Sequence, residues 1–422
     1  MHTRLRIAAV TLLFWAAAIS AKAQILPAGA VPTRLSPSNN IVGGAPVLFV
    51  ESPLYDGNGG VYFSDDDPAH VHDRLLHYDI ASGTTTVADP SSGGANGTYY
   101  NANHQIVSCD RERRQISLRN HDDITIVDQV LASRYNGAQF NGPNDLVADA
   151  NGGIYFTDPD YEGRHSLPDG VYYLNPQGVV SQLLSYADGS HRPNGLILSP
   201  DGNTLYLALE QKYQILAFDV NQQDGSISRQ RTFAATNLKT NGIVDTSIHN
   251  GPDGLTIDPA GNVYAAVFNA VWAWNPAGQE LFRLNMPGSG STLEDPTNVD
   301  FGGADGKTLF IAAGKGLYGV HLNIATPSTG DYNGDGVVDA ADYTVWRDTV
   351  GSTTNFAADG DSAGDSKHVI DQADYDYWLG KFQVTFGSAA ASSSTVPEPG
   401  ALGLAIVAAI LLRIVRLRPQ NH

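Results

Sequence analysis

Apolar positions along this chain come in short β-rich bursts set off by glycine, asparagine and proline, and the bursts repeat. The runs are Gly60-Val61-Tyr62-Phe63-Ser64, Gln105-Ile106-Val107-Ser108, Gly153-Ile154-Tyr155-Phe156-Thr157, Thr204-Leu205-Tyr206-Leu207, Asn262-Val263-Tyr264-Ala265 and Thr308-Leu309-Phe310-Ile311. Within them Val61, Ile106, Ile154, Leu205, Val263 and Leu309 are spaced by 45, 48, 51, 58 and 46 residues. Periods in that range belong to propeller blades of about four strands. Further short strands ending in turns follow, as at Leu75–Ile80, Gly170–Leu174 and Ala270–Trp274. No amphipathic helix separates the strands, which disfavours a parallel α/β sheet. The pattern predicts an all-β, six-bladed propeller closing from about Pro37 to Leu322, a ring that leaves few exposed sheet edges.

Both ends depart from this pattern. Basic Arg4 and Arg6, an apolar run from Ile7 to Ser20 and Ala21-Lys22-Ala23 form a secretory signal over residues 1–23, the apolar run being too short to span a bilayer. At the other end, Val396-Pro397-Glu398-Pro399-Gly400 precedes apolar Ala401 to Leu412 and then Arg413, Arg416 and Arg418. That order resembles a PEP-CTERM sorting tail; a C-terminal membrane anchor is the plainer alternative. The expected location is outside the cytoplasm, secreted or at the cell envelope, with the tail giving a transient membrane association.

Composition narrows the chemistry. Lys plus Arg number 25 against 44 Asp plus Glu, a formal net charge of -19. Nucleic acid needs a basic face, so it is not an expected partner, whereas hard cations are. Only 16% of residues are charged and 44 are glycine, and hydrophobic residues make up 42%. These proportions suit many short strands round a real core. The single Cys109 excludes an intramolecular disulfide and a cysteine-based zinc site.

Short polar motifs precede several of the repeated strands: Glu51-Ser52-Pro53, Gly142-Pro143-Asn144-Asp145-Leu146, Arg192-Pro193-Asn194-Gly195-Leu196 and Gly251-Pro252-Asp253-Gly254-Leu255. Equivalent positions of successive blades face one central channel, so Glu51, Asn144, Asn194 and Asp253 are expected to converge. Taken singly, Asn194 and Asp253 read as ordinary turn residues, because Asn-Gly and Asp-Gly are turn dipeptides. One per blade at matching phase, they read as a cluster. Two carboxylates and two amides, with no imidazole or thiolate, favour calcium, with magnesium as the alternative. Such an ion is a Lewis acid toward an ester-like centre.

In order along the chain, Phe140–Leu146 with Tyr155–Pro159, then Arg192–Leu196, Gly251–Leu255, Pro296-Thr297-Asn298 and Phe301–Leu309 resemble the senescence marker protein/gluconolactonase/luciferin-regenerating family. The likeness runs from about Val47 to Val320. It implies a six-bladed propeller with one catalytic divalent ion and hydrolysis of sugar lactones or related esters. By motif, Glu51, Asn144, Asn194 and Asp253 correspond to the family's metal ligands, and Asp253 also to its general base, or to the nucleophile of phosphotriesterase-type relatives. Where family members often read Glu-Gly-Pro, this chain has Glu51-Ser52-Pro53. Their second blade often shows Asn-Gly-Leu and then Glu-His-Gly before paired arginines. Here Tyr100-Asn101-Ala102-Asn103 and Cys109-Asp110-Arg111-Glu112-Arg113-Arg114 are read against these, with Asp110 in place of the His. His249 and Arg114 are the candidates for orienting groups behind the ligands.

Beyond the propeller, assigned to residues 24–325, the composition shifts. Asp331, Asn333, Asp335, Val337, Asp339 and Asp342 stand at positions 1, 3, 5, 7, 9 and 12 of an EF-hand-type loop, with Gly336 at 6. Ala341-Asp342-Tyr343-Thr344-Val345-Trp346 returns 32 residues later as Ala373-Asp374-Tyr375-Asp376-Tyr377-Trp378. A Tyr and a Trp three residues apart share one helix face, so two loop–helix units are expected to pack together. Asp359, Asp361, Asp365, Asp371 and Asp374 offer a longer and weaker second calcium loop. Residues 326–385 therefore resemble a small α-helical dockerin domain, which implies a cohesin-like protein partner, and 386–422 form a linker and the tail. The expected molecule is a monomeric calcium-dependent lactonase acting on a small lactone. A non-catalytic extracellular propeller binding carbohydrate or protein, and a phosphotriesterase-like relative, are the alternatives.

Overall fold

In a computed structural model of the chain, the described residues are 25–324, apart from 38, 68–72, 102–104, 121, 188, 237–238, 241–242, 245–250 and 289–293, together with 340–350, 372, 375, 378 and 379. Six four-stranded antiparallel sheets make up a six-bladed β-propeller. The innermost strands are Val50–Tyr55, Ala95–Tyr100, Leu146–Ala148, Pro193–Leu198, Leu255–Ile257 and Pro296–Gly302. Each packs against the next, and the sixth packs against the first to close the circle. All six repeated runs are second strands, within Gly60–Asp65, Ile106–Asp110, Ile154–Asp158, Thr204–Leu209, Val263–Val267 and Thr308–Ala313.

The ring begins slightly earlier than the sequence pattern suggests. Thr33–Ser36 pairs antiparallel with Gly316–His321 and supplies the outer strand of the sixth blade. Its four residues carry no repeated signal, because an outer edge strand does not need the buried apolar run of a second strand.

Apolar contact between neighbouring blades forms the core. Val147, Tyr155 and Val171 meet Leu196, Leu205 and Leu207 between the third and fourth blades. Tyr264, Val271 and Phe282 meet Val299, Leu309 and Ile311 between the fifth and sixth. Similar clusters fill the junctions of blades two and three, four and five, and six and one. The junction of blades one and two is held by polar groups instead. Arg119, 0% exposed, donates all five of its guanidinium N–H groups. Nε reaches Ser108 Oγ at 3.1 Å, Nη1 reaches Asp89 at 2.8 Å and the Ile124 carbonyl at 3.0 Å, and Nη2 reaches the Ser92 carbonyl at 2.7 Å and Asp110 at 3.2 Å. A buried cation persists only when its donors are satisfied and its charge is paired.

Beyond the propeller, a helix spans Ala340–Thr349. Tyr343 and Trp346 on it meet the second repeat: Trp346 lies 4.9 Å from Tyr375 and Tyr343 5.6 Å from Trp378, centroid to centroid. The two aromatic pairs of the repeat therefore pack on each other. Asp331, Asn333, Asp335, Val337, Asp339, Asp359, Asp361, Asp365, Asp371 and Asp374 lie outside the described residues, as do the side chain of Asp342, the leader and the tail.

Candidate active site

Matching residue pairs lie within or immediately before the six inner strands: Glu51-Ser52, Asn96-Gly97, Asn144-Asp145, Asn194-Gly195, Asp253-Gly254 and Thr297-Asn298. Hydrogen bonds tie each pair to the next blade. Ser52 Oγ accepts from Thr98 N–H at 2.8 Å, and Gly97 N–H donates to the Asn144 carbonyl at 2.7 Å. The Leu196 backbone donates to the Asp145 carboxylate. Gly195 N–H donates to the Asp253 carbonyl at 3.2 Å and Gly254 N–H to the Thr297 carbonyl at 2.8 Å. Thr297 Oγ1 closes the loop by donating to the Val50 carbonyl at 2.7 Å.

This ring explains the glycines and corrects the turn reading. Gly97, Gly195 and Gly254 are not among the residues with positive φ, so their dipeptides are not left-handed turns. A Cβ on Gly195 would sit 2.3 Å from the Asp253 carbonyl oxygen, and one on Gly97 2.7 Å from that of Asn144. Glycine is required because neighbouring backbones approach too closely for a side chain. Ser52 does take a left-handed conformation, φ 46°, at the position where family members often carry glycine.

The structure places the second blade's counterpart at Asn96-Gly97, not at residues 100–103. A sequence signal for it exists. Ten residues separate Glu51 from Val61, Asn144 from Ile154 and Asp253 from Val263, and the same step separates Asn96 from Ile106.

Glu51, Asn144 and Asn194 are buried, while Asp253 is partly exposed. Burial, and then the charges of Asp253, Asp66 and Asp145, push the Glu51 carboxyl well above the usual carboxylate range. For Asp253 burial again leads, followed by Glu210 and Asp145, and the Asn194 amide pulls the other way by donating to it. Asp145 itself is pushed up to about 7 by burial. The charges with the largest effect on Glu51 and Asp253 are all acidic. The structure thus brings Glu51, Asn194 and Asp253 into one acidic pocket, and Asn144 stands at the same level of the ring. Two neighbouring carboxylates whose strongest charged neighbours are acids fit a hard divalent cation. Among the described residues no three His, Cys, Asp or Glu side chains gather as a metal-binding group; the candidate set completes its two carboxylates with two amides.

Two networks flank this pocket. On one side Asn194 Nδ2 donates to Tyr161 Oη at 2.9 Å, and Tyr161 donates to Glu210 at 2.6 Å. On the other, Asn96 donates to Asp66 at 3.1 Å, and the Arg111 guanidinium lies 3.2 Å from Asp66 and 3.4 Å from Glu162. Asp66 Oδ1 and Glu162 Oε2 are buried without a hydrogen-bond partner. Asp66, Glu162 and Glu210 were not singled out by sequence, since each belongs to a loop between second and third strands that varies from blade to blade. Arg114 donates Nε to the Phe140 carbonyl at 2.5 Å, bracing the segment ahead of Asn144. His249 lies outside the described residues. Asp110 is fully taken up by Arg119, Arg113, Ser108 and Ser117, so it acts in the joint between blades one and two.

Residues 49–315 match the family described as SMP-30/Gluconolactonase/LRE-like region. A gluconolactonase of Zymomonas mobilis is 28% identical over 288 residues, covering 63% of this chain and 76% of that protein. The solved structure of a gluconolactonase from Xanthomonas campestris superposes with a TM-score of 0.54 at 26% identity, over 69% of this chain and 97% of that one. Regucalcin from Agrobacterium tumefaciens shares the fold, with a TM-score of 0.54 at 17% identity over 66% of this chain and 92% of that one. By its propeller, its ring of channel residues and this match over most of the blades, the chain belongs to the SMP-30/gluconolactonase/LRE-like family.

Proposed function

We propose that the channel is the site of a metal-dependent lactonase that opens sugar lactones, aldonolactones being the simplest. The observation that carries this reading is the Glu51–Asp253 carboxylate pair, whose strongest charged neighbours are further acids. The similarity to gluconolactonases supports the substrate class. Glu51, Asn144, Asn194 and Asp253 would hold a divalent ion, most naturally calcium. When bound, that ion supplies Lewis acidity toward the lactone carbonyl.

The chain's own groups then have distinct tasks. Asp253 takes a proton from the attacking water as its oxygen bonds to the carbonyl carbon. The ring C–O bond breaks, and the departing oxygen takes that proton to give the open hydroxy acid.

Export, and a dockerin-like calcium module after the propeller, complete the reading; the packing of Tyr343 and Trp346 on Tyr375 and Trp378 supports the tandem repeat. A pH-stat assay with glucono-lactone tests the function. Acid release above the spontaneous rate should stop with chelator and return with calcium. A rate equal to the spontaneous one, with calcium present, refutes the proposal.

A further inference from the structure

The side chain of Asn194 is fixed by a hydrogen-bond chain whose polarity can be read from chemistry alone. Glu210 lies 4.0 Å from Arg192, and an ionised carboxylate only accepts hydrogen bonds. The Tyr161 hydroxyl hydrogen is therefore committed to Glu210, at 2.6 Å. With its hydrogen spent, Tyr161 Oη can only accept, and it does so from Asn194 Nδ2 at 2.9 Å. That bond holds the Nδ2 end of Asn194, and the carbonyl oxygen Oδ1 is left as the free end of the amide. Arg192 also lies over the Tyr161 ring, 5.0 Å from its centroid, holding the phenol from its face.

We infer that Tyr161 and Glu210 are positioning residues that turn the Asn194 carbonyl oxygen toward the channel ion. Without them an amide is free to present either end, and an N–H group facing a cation repels it. This inference rests on the reading of the channel as a divalent-cation site, and it adds two residues from separate blades that do not themselves contact the ion. Groups that orient metal ligands typically contribute about ten- to a hundredfold to affinity.

The test is calcium titration by calorimetry on the full chain, with Glu51→Gln as reference. The binding event that Glu51→Gln abolishes defines the channel site and separates it from calcium bound elsewhere in the chain. Tyr161→Phe keeps the ring under Arg192 and removes only the hydroxyl. Glu210→Gln keeps the shape but can donate to Tyr161, which releases the phenol hydrogen toward Asn194 and inverts the amide's preference. Both variants should bind channel calcium about ten- to a hundredfold more weakly, with the melting temperature of the calcium-free protein unchanged and lost activity restored by excess calcium. Unchanged channel affinity in both overturns the positioning role while leaving the metal site standing. If Glu51→Gln abolishes no binding event, the metal reading and the inference fall together.

Discussion

Gly195 N–H donates to the carbonyl oxygen of Asp253 across the junction of the fourth and fifth blades, at 3.2 Å. The residue after one candidate ligand therefore bonds the backbone of the next. Ligand geometry and blade packing are one structural feature here, because the ring that closes the propeller also sets the spacing of the channel side chains.

Gly195→Ala places a methyl 2.3 Å from that oxygen and 2.7 Å from Gly254 Cα. Overpacking against backbone costs ~1–3 kcal/mol, and relief requires the two blades to part where Asn194 and Asp253 sit. Calorimetry should show a lowered melting temperature, with a larger proportional loss of lactone hydrolysis than of folded protein.

Ser52 tests the opposite case, a side chain where the backbone favours glycine. Its φ of 46° costs ~1–3 kcal/mol for a residue with a Cβ. Its hydroxyl accepts the buried Thr98 N–H and lies 2.9 Å from Thr98 Oγ1. Ser52→Ala keeps the strain and orphans the N–H, a loss of ~1–3 kcal/mol. Ser52→Gly should recover part of that loss, so thermal melts should rank glycine above alanine.

Arg119→Met removes the fork between blades one and two, leaving Asp89 buried without its cation and Asp110 with Arg113 alone. Breaking a buried pair from one side costs ~3–5 kcal/mol. Denaturant unfolding should show a loss of that size; a change under ~1 kcal/mol would mean that Asp89 and Asp110 find other partners.

Buried carboxyls outside the ligand set give the metal-free protein a pH signature. Asp158 and Asp300 are each pushed up to about 7, in both cases chiefly by burial. An unfolded Asp titrates near 3.9, so between ~4 and 7 the folded state holds more protons than the unfolded state. Stability should therefore fall as pH rises through that window. Melting temperatures in chelator from pH 5 to 8 check this, and Asp300→Asn should flatten the slope.

The six blades were legible because a buried second strand must be apolar, and Val61, Ile106, Ile154, Leu205, Val263 and Leu309 recur at blade spacing. Glu51, Asn144 and Asp253 were legible because each sits ten residues before the repeated apolar position, and Asn194 because it sits eleven before its own. Asn96 keeps the same ten-residue offset but was hidden by the motif sought at residues 100–103. The closing strand Thr33–Ser36 was not legible, since its pairing is made with a segment about 280 residues away. Glu210 and Asp66 lie in loops of unequal length, where no spacing rule tells which side chains turn inward. The glycines of Asn194-Gly195 and Asp253-Gly254 were visible, but their cause was not; the close approach that requires them exists only once the blades are packed.

The most direct test of the channel's chemistry compares lactone hydrolysis by wild type and Asp253→Asn, each saturated with calcium. An amide can still contribute an oxygen to the pocket but cannot accept the proton of water, so kcat should fall by at least about a hundredfold while the fold persists. Hydrolysis by Asp253→Asn at the wild-type rate would contradict the account.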